Sequence, residues 1–312
     1  MTTVPIQPES LELEAARQIA FDPVSSLEQA EAQTRRLTHG HYENFSVVTF
    51  LVPKPLRQDF CNIYAFCRTA DDLGDETADT EVALRDLDRL KSATRDCYEG
   101  RVASAVFTAL RGTIDRHKIP IEPFLDLIDA FEQDQRVKRY ATFEQVLDYC
   151  RRSANPVGRL VLYLYGYRDE HRQQLADYTC TALQLANFWQ DVRRDWLDLR
   201  RIYLPEESME RFGLCPVELA KQIEASSCDQ RSRDLMAFEV ERTLGLFGLG
   251  DGLLPFLEGR IRAQVGLFGS GGRAVLQAIR DRGYDTFTRR PKLSRWQKSR
   301  LALRALLACR AW

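Results

Sequence analysis

The stretch YAFCRTADDLGDE (64–76) runs an apolar helical stripe straight into a cluster of acids. Phe60, Ile63, Tyr64, Phe66 and Cys67 recur at the three- and four-residue steps of an α-helix, so Leu56 to Ala70 is predicted to be a buried helix. Its end is DDLGDE (71–76), where Asp71 and Asp75 share a face and Asp72 and Glu76 flank it.

A second acidic run lies far downstream. QLANFWQDVRRDW (184–196) sits within a long helical candidate (171–200) and places Asn187, Asp191 and Asp195 at i, i+4 and i+8. Like charges at this spacing weaken a helix by a few tenths of a kcal/mol per pair, and burying them is far more costly without a cation. Carboxylate and amide oxygens without histidine or thiolate form the ligand set of a hard ion, which points to Mg2+ and a diphosphate. The competing reading is two solvated faces, with Arg68, Arg193, Arg194, Arg200 and Arg201 supplying surface ion pairs. Aromatics beside both rows (Tyr64, Phe66, Phe188, Trp189) favour a water-poor site in which a diphosphate leaves and a carbocation is stabilised.

The rest of the chain is also read as helical. A serine at 25 or 26 suits a helix N-cap and the start of ordered structure, after an acidic arm or capping helix. Further helices are expected over 81–99, 119–135 and 143–167, the last broken or kinked at Pro156 and Gly158. The glycine run LGLFGLGDGLLPFLEG (244–259) has neither Walker spacing nor a strand-led GxGxxG, so helix ends and close packing explain it better than a phosphate loop.

Composition sets the outer limits. The 312 residues are 44% hydrophobic and 29% charged, with a net charge of -1, which excludes disorder and argues against a nucleic-acid coat. The 8 cysteines form no Cys-x-x-Cys pair and histidines number only 4, which argues against zinc and for reduced cytoplasmic thiols. No stretch reads as a bilayer span or signal peptide, so a cytoplasmic protein is expected.

At DDLGD and NFWQDVRRD the chain resembles the squalene and phytoene synthase family, with the resemblance running from about residue 38 to 285. YAFCRTADDLGDE (64–76), YCRRSANPVG (149–158) and RRIYLP (200–205) carry it. It implies an all-α, single-domain isoprenoid synthase fold, helices surrounding a central apolar cavity. The expected layout is an arm over 1–24, a catalytic domain over 25–288 and a basic tail over 289–312. Asp71, Asp72 and Asp75 are implied as the first metal motif, and Asn187, Asp191 and Asp195 as the second. Arg68 is implied to pair with the diphosphate, whose end of the pocket also takes His41, Asn44 and Phe45. Tyr64, Tyr149 and Tyr203 match tyrosines lining the family's site.

HYENFSV (41–47), CRRSANPVGR (150–159) and NFWQD (187–191) look most like the bacterial hopanoid-pathway branch that forms hydroxysqualene. That branch converts presqualene diphosphate and water to hydroxysqualene and diphosphate, a carbon–oxygen lyase reaction with Mg2+ and no NADPH. Its squalene-, dehydrosqualene- and phytoene-forming relatives usually carry arginine before the aspartate of the second motif, where this chain has Gln190. The rival expectations are a presqualene diphosphate or squalene synthase using farnesyl diphosphate, and a non-catalytic helical scaffold. From Arg289 to Trp312 there are eight Lys or Arg and no acid, with Leu293, Trp296, Leu301 and Leu307 as an apolar stripe. This tail reads either as a peripheral contact with the inner membrane face or as a basic helix packed on the domain.

Overall fold

The computed structural model describes residues 8–40, 52–76 and 79–294. Their regular structure is helical: Pro8–Phe21 (α1), Leu27–Gly40 (α2), Arg57–Asp75 (α3), Thr80–Tyr98 (α4), Ala105–His117 (α5), Glu122–Arg136 (α6), Phe143–Ser153 (α7), Asn155–Leu164 (α8), Glu170–Leu199 (α9), Glu206–Arg211 (α10), Pro216–Glu224 (α11), Gln230–Gly250 (α12) and Gly259–Asp281 (α13). The fold class is all-α, as the sequence reads. Order begins earlier than Ser25, at α1, and Ser26 does start α2, its Oγ accepting from Gln29 N at 3.2 Å. His41, Asn44 and Phe45, and the tail beyond Ser294, lie outside the described residues. No helix among the described residues is long and apolar enough to cross a membrane.

The described helices group into two compact units, one drawn from Met1–Arg136 with Arg159–Arg168, the other from Val137–Gly158 with Asp169–Trp312. No change of composition marks these points, which is why the sequence reads as undivided. In the first unit α3 packs against α1, α2, α4, α5 and α6. It buries Phe60, Ile63, Phe66 and Leu73, with Phe66 edge-on to Phe124 at 4.9 Å between ring centroids. Each such side chain contributes roughly 1.5–3 kcal/mol by leaving water. The polar members of α3 are paired within the core: Asp59 accepts from Thr113 Oγ1 at 2.8 Å and meets His117 Nε2 at 2.9 Å, and Asn62 Nδ2 donates to Ala109 O at 3.0 Å. The helix is thereby fixed in rotation, and its acids are carried to a defined end.

In the second unit α9, 30 residues and about 45 Å long, packs against α7, α12 and α13. Asp169 caps its start by accepting from Arg172 N at 3.0 Å, and Arg200 ends it in the left-handed region at φ 56°. The glycine run serves packing: a Cβ on Gly250 would lie 2.2 Å from Thr179 Oγ1 and 3.0 Å from Thr179 N, so α12 ends hard against α9. The predicted break near Pro156 falls at Ala154, between α7 and α8. Backbone bonds from Ile202 N to Lys138 O (3.0 Å) and Glu206 N to Tyr140 O (2.9 Å) run the two loops side by side. That pairing brings Tyr140 and Tyr203 together beside α9.

Candidate active site

The last turns of α3 hold the first acidic row. Asp72 is buried, Asp71 half-buried and Asp75 exposed, so the helix turns its second aspartate inward rather than the Asp71–Asp75 face. Arg68, one turn earlier, is the counter-ion for its neighbours: Nη1 donates to Asp71 Oδ2 at 3.1 Å and Nη2 lies 2.5 Å from Asp72 Oδ1. Burial outweighs this guanidinium, and with Asp71 adding to it pushes the Asp72 carboxyl up to about 7. Burial likewise raises the Tyr64 hydroxyl, against the pull of Arg68.

The sequence did not assign Glu12, on α1. Its Oε2 lies 3.5 Å from Arg68 Nη2, and carboxylate oxygens of Glu12, Asp72 and Glu76 lie within 4.8 Å of one another. From sequence Glu76 is only a flanking acid. No spacing rule could have linked residue 12 to residue 72. An all-oxygen set of this kind fits a hard divalent ion such as Mg2+, and it has no donor suited to a softer metal.

The second row lies on α9, where Asn187 is exposed, Asp191 buried and Asp195 half-buried. Burial, with Asp191 next, pushes the Asp195 carboxyl up to about 7, against the pull of Arg194, Arg201 and Arg290. Two such carboxylates on adjacent turns want a cation, and Arg290 supplies one: its Nε donates to Asp191 Oδ1 and its Nη2 to Asp191 Oδ2 at 3.0 Å. The guanidinium shows that the site accepts positive charge, and the oxygen set of Asn187, Asp191 and Asp195 suits Mg2+. From sequence Arg290 belongs with the basic tail, because a run of like charges gives no sign of which member turns inward. The other arginines, expected as surface ion-pair partners, do not all behave alike. Arg200 pairs with Glu224 at 3.0 Å on the surface, whereas Arg193 Nη1 donates to the carbonyls of Ile223 (2.5 Å) and Phe287 (3.0 Å).

Beside the second row is an aromatic cluster of Tyr140, Tyr149, Phe188 and Tyr203. Phe188 and Tyr203 stack at 3.8 Å, and Tyr149 lies 5.8 Å from Tyr203 and 6.0 Å from Phe188. All four rings are buried. The structure thus brings together Tyr149, Tyr203, Gln190 and Asp191 in one unit, and Tyr64, Arg68, Asp71 and Asp72 in the other. Phe66 and Trp189 are core instead: Phe66 packs on Phe107 and Phe124, and Trp189 Nε1 donates to Thr243 Oγ1 at 2.8 Å.

The fold is that of the isoprenoid synthases. A crystal structure of a dehydrosqualene synthase in complex with ligand matches with a TM-score of 0.80 over 92% of this chain and 98% of that one, at 24% identity. The sequence model of squalene/phytoene synthase matches residues 38–297, and the chain belongs to that family of head-to-head isoprenoid synthases. The crystal structure of squalene synthase HpnC from Alicyclobacillus acidocaldarius is 42% identical, with a TM-score of 0.78 over 88% of this chain and 99% of that one. Hydroxysqualene synthase of Sinorhizobium fredii is 32% identical over 77% of this chain and 80% of its own length. Phytoene synthase of Mycobacterium tuberculosis is 29% identical over 91% and 92%. Helix α1, which carries Glu12, precedes the matched region.

Proposed function

We propose that the chain forms hydroxysqualene from presqualene diphosphate and water. The residue on which this branch rests is Gln190, which stands before Asp191 where, by the family resemblance, squalene-, dehydrosqualene- and phytoene-forming relatives usually carry arginine. The 32% identity to a hydroxysqualene synthase supports it, while the 42% identity to squalene synthase HpnC supports a C30 product over phytoene.

In this reading Asp71, Asp72 and Asp75 on α3, and Asn187, Asp191 and Asp195 on α9, hold Mg2+, and Arg68 binds diphosphate oxygens, a role also proposed for His41, Asn44 and Phe45. Bound divalent ions supply Lewis-acid stabilisation to the departing diphosphate. The carbon–oxygen bond breaks with its electron pair going to the diphosphate, and the cyclopropylcarbinyl cation rearranges by ring opening. Tyr140, Tyr149, Phe188 and Tyr203 offer π faces to that cation and keep bulk water away, with Tyr64 lining the site. One water forms the new carbon–oxygen bond, and its proton passes to the released diphosphate, directly or relayed through the Tyr149 hydroxyl. The quench is hydroxyl, so no NADPH is consumed.

Phytoene synthesis is the reading favoured by the 29% identity to phytoene synthases along most of the chain. Incubation with presqualene diphosphate, farnesyl diphosphate or geranylgeranyl diphosphate separately, with products identified by mass spectrometry, decides. Hydroxysqualene from the first alone supports the proposal. Phytoene from the third, or squalene formed only with reductant, overturns it. The basic tail over 289–312 is proposed to hold the enzyme on anionic membranes, where C30 lipids are exchanged. Sedimentation with anionic vesicles tests this, since a chain ending at Arg289 that binds as well as the full chain would refute it.

A further inference from the structure

Gln190 is the residue that departs from the relatives' pattern, and its side chain does not face open solvent on both sides. Its Nε2 donates to Pro291 O at 2.7 Å, and its Oε1 accepts from Arg290 Nη2 at 3.3 Å. The amide cannot be reversed, because that would set NH2 against a guanidinium and carbonyl against carbonyl. The segment it holds is stiff. Asp285 Oδ1 accepts from Phe287 N (3.2 Å) and Thr288 N (3.0 Å), Asp285 Oδ2 accepts from Thr288 Oγ1 (2.7 Å), and Arg193 Nη1 donates to Phe287 O (3.0 Å). This chain of contacts delivers Arg290 to both oxygens of buried Asp191.

We propose that Gln190 is a positioning residue that holds Arg290 on Asp191, and that Arg290 is an internal cation which a divalent metal must displace to use that carboxylate. The proposal rests on reading Asp191 as a metal ligand. The clamp needs an amide at 190, with an acceptor for Arg290 and a donor for Pro291 O. Arginine there can still donate to Pro291 O, but it offers Arg290 no acceptor and adds a like charge beside it. The identity of residue 190 therefore sets how tightly the second row is masked, and with it the metal concentration at which the row loads.

The test is Mg2+ titration of the full chain by calorimetry, without substrate, in the wild type and in Arg290→Met, Gln190→Met and the double variant, with folding checked by thermal melting. Arg290→Met is expected to bind Mg2+ about tenfold more tightly, a difference of about 1.4 kcal/mol. Gln190→Met is expected to give a smaller tightening, and the double variant to match Arg290→Met because Gln190 acts through Arg290. A residue with only a structural role would loosen metal binding when removed. Unchanged or weaker Mg2+ affinity in Arg290→Met overturns the displacement, and additive effects in the double variant overturn the role of Gln190. Should Arg290→Met not fold, Arg290→Lys, which loses the paired donors, must still bind Mg2+ more tightly than wild type. No Mg2+ binding by any variant overturns both this proposal and the metal reading. A failure to form hydroxysqualene while the metal cycle behaves as stated overturns the branch assignment alone.

Discussion

Phe188 and Tyr203 stack face to face, with ring centroids 3.8 Å apart and planes 5° from parallel. The contact joins the middle of α9 to the loop RRIYLP (200–205), just beyond the helix, and it sits one helical turn from Asp191. The rings proposed to shield a cation and the carboxylate proposed to take a metal thus meet along α9.

Truncating Phe188 to Ala is expected to destabilise the fold by about 3–5 kcal/mol, as for other buried rings, and to lower turnover in the fraction that remains folded. Tyr203→Phe keeps the stack and loses only a hydroxyl. Thermal melting should place Tyr203→Phe close to wild type and Phe188→Ala far below it; equal losses would assign the stability to the hydroxyl rather than the stack.

Asp71→Ala and Asp191→Ala remove interactions proposed to act mainly in the transition state, and each is expected to lower kcat by at least about a hundredfold. Steady-state assays with presqualene diphosphate check this. Near-normal turnover in either variant would contradict its metal assignment.

Asp72 and Asp195 are both pushed up to about 7 from an ordinary 3.8. A carboxyl raised on folding binds its proton more tightly in the native state, so its contribution to stability is full below about pH 4 and is lost as pH climbs through 7. The melting temperature of the metal-free protein should therefore carry a falling component between pH 4 and 8 that Asp195→Asn removes in part. Mg2+ displaces those protons, so its affinity should rise with pH up to about 7 and then level off. A metal affinity independent of pH between 5 and 8 would contradict the raised carboxyls as ligands.

Gly272→Ala is expected to destabilise by about 1–3 kcal/mol through overpacking. Its Cβ would fall 2.3 Å from Phe247 Cζ and 2.9 Å from Leu183 Cδ2, both inside the core of the second unit. Chemical denaturation measures it, and a neutral result would mean that the Phe247 ring moves aside freely.

Much of this was legible in the sequence because it is local. The apolar period through Phe60, Ile63 and Phe66 gave the rotation of α3, and the four-residue steps of Asn187, Asp191 and Asp195 set one stripe along α9. What periodicity could not rank was burial within a row. Asp72 turns inward because α3 packs on five other helices, a tertiary fact with no local trace. The partners of the rows were equally hidden: Glu12 meets Asp72, and Arg290 meets Asp191, across separations on which helical spacing has no bearing. Tyr140 joined the aromatic cluster through loop pairing with 202–206, again a long-range event. Gln190 was visible as a departure from a pattern, but what its amide holds became plain only with Pro291 and Arg290 in place.

The most direct measurement is the reaction of the purified full chain with presqualene diphosphate and Mg2+ in 18O-labelled water, without NADPH, read by mass spectrometry. Hydroxysqualene with one 18O in its hydroxyl, and one diphosphate released per turnover, is the expected result. Unlabelled product, squalene that requires a reductant, or intact presqualene diphosphate would contradict it.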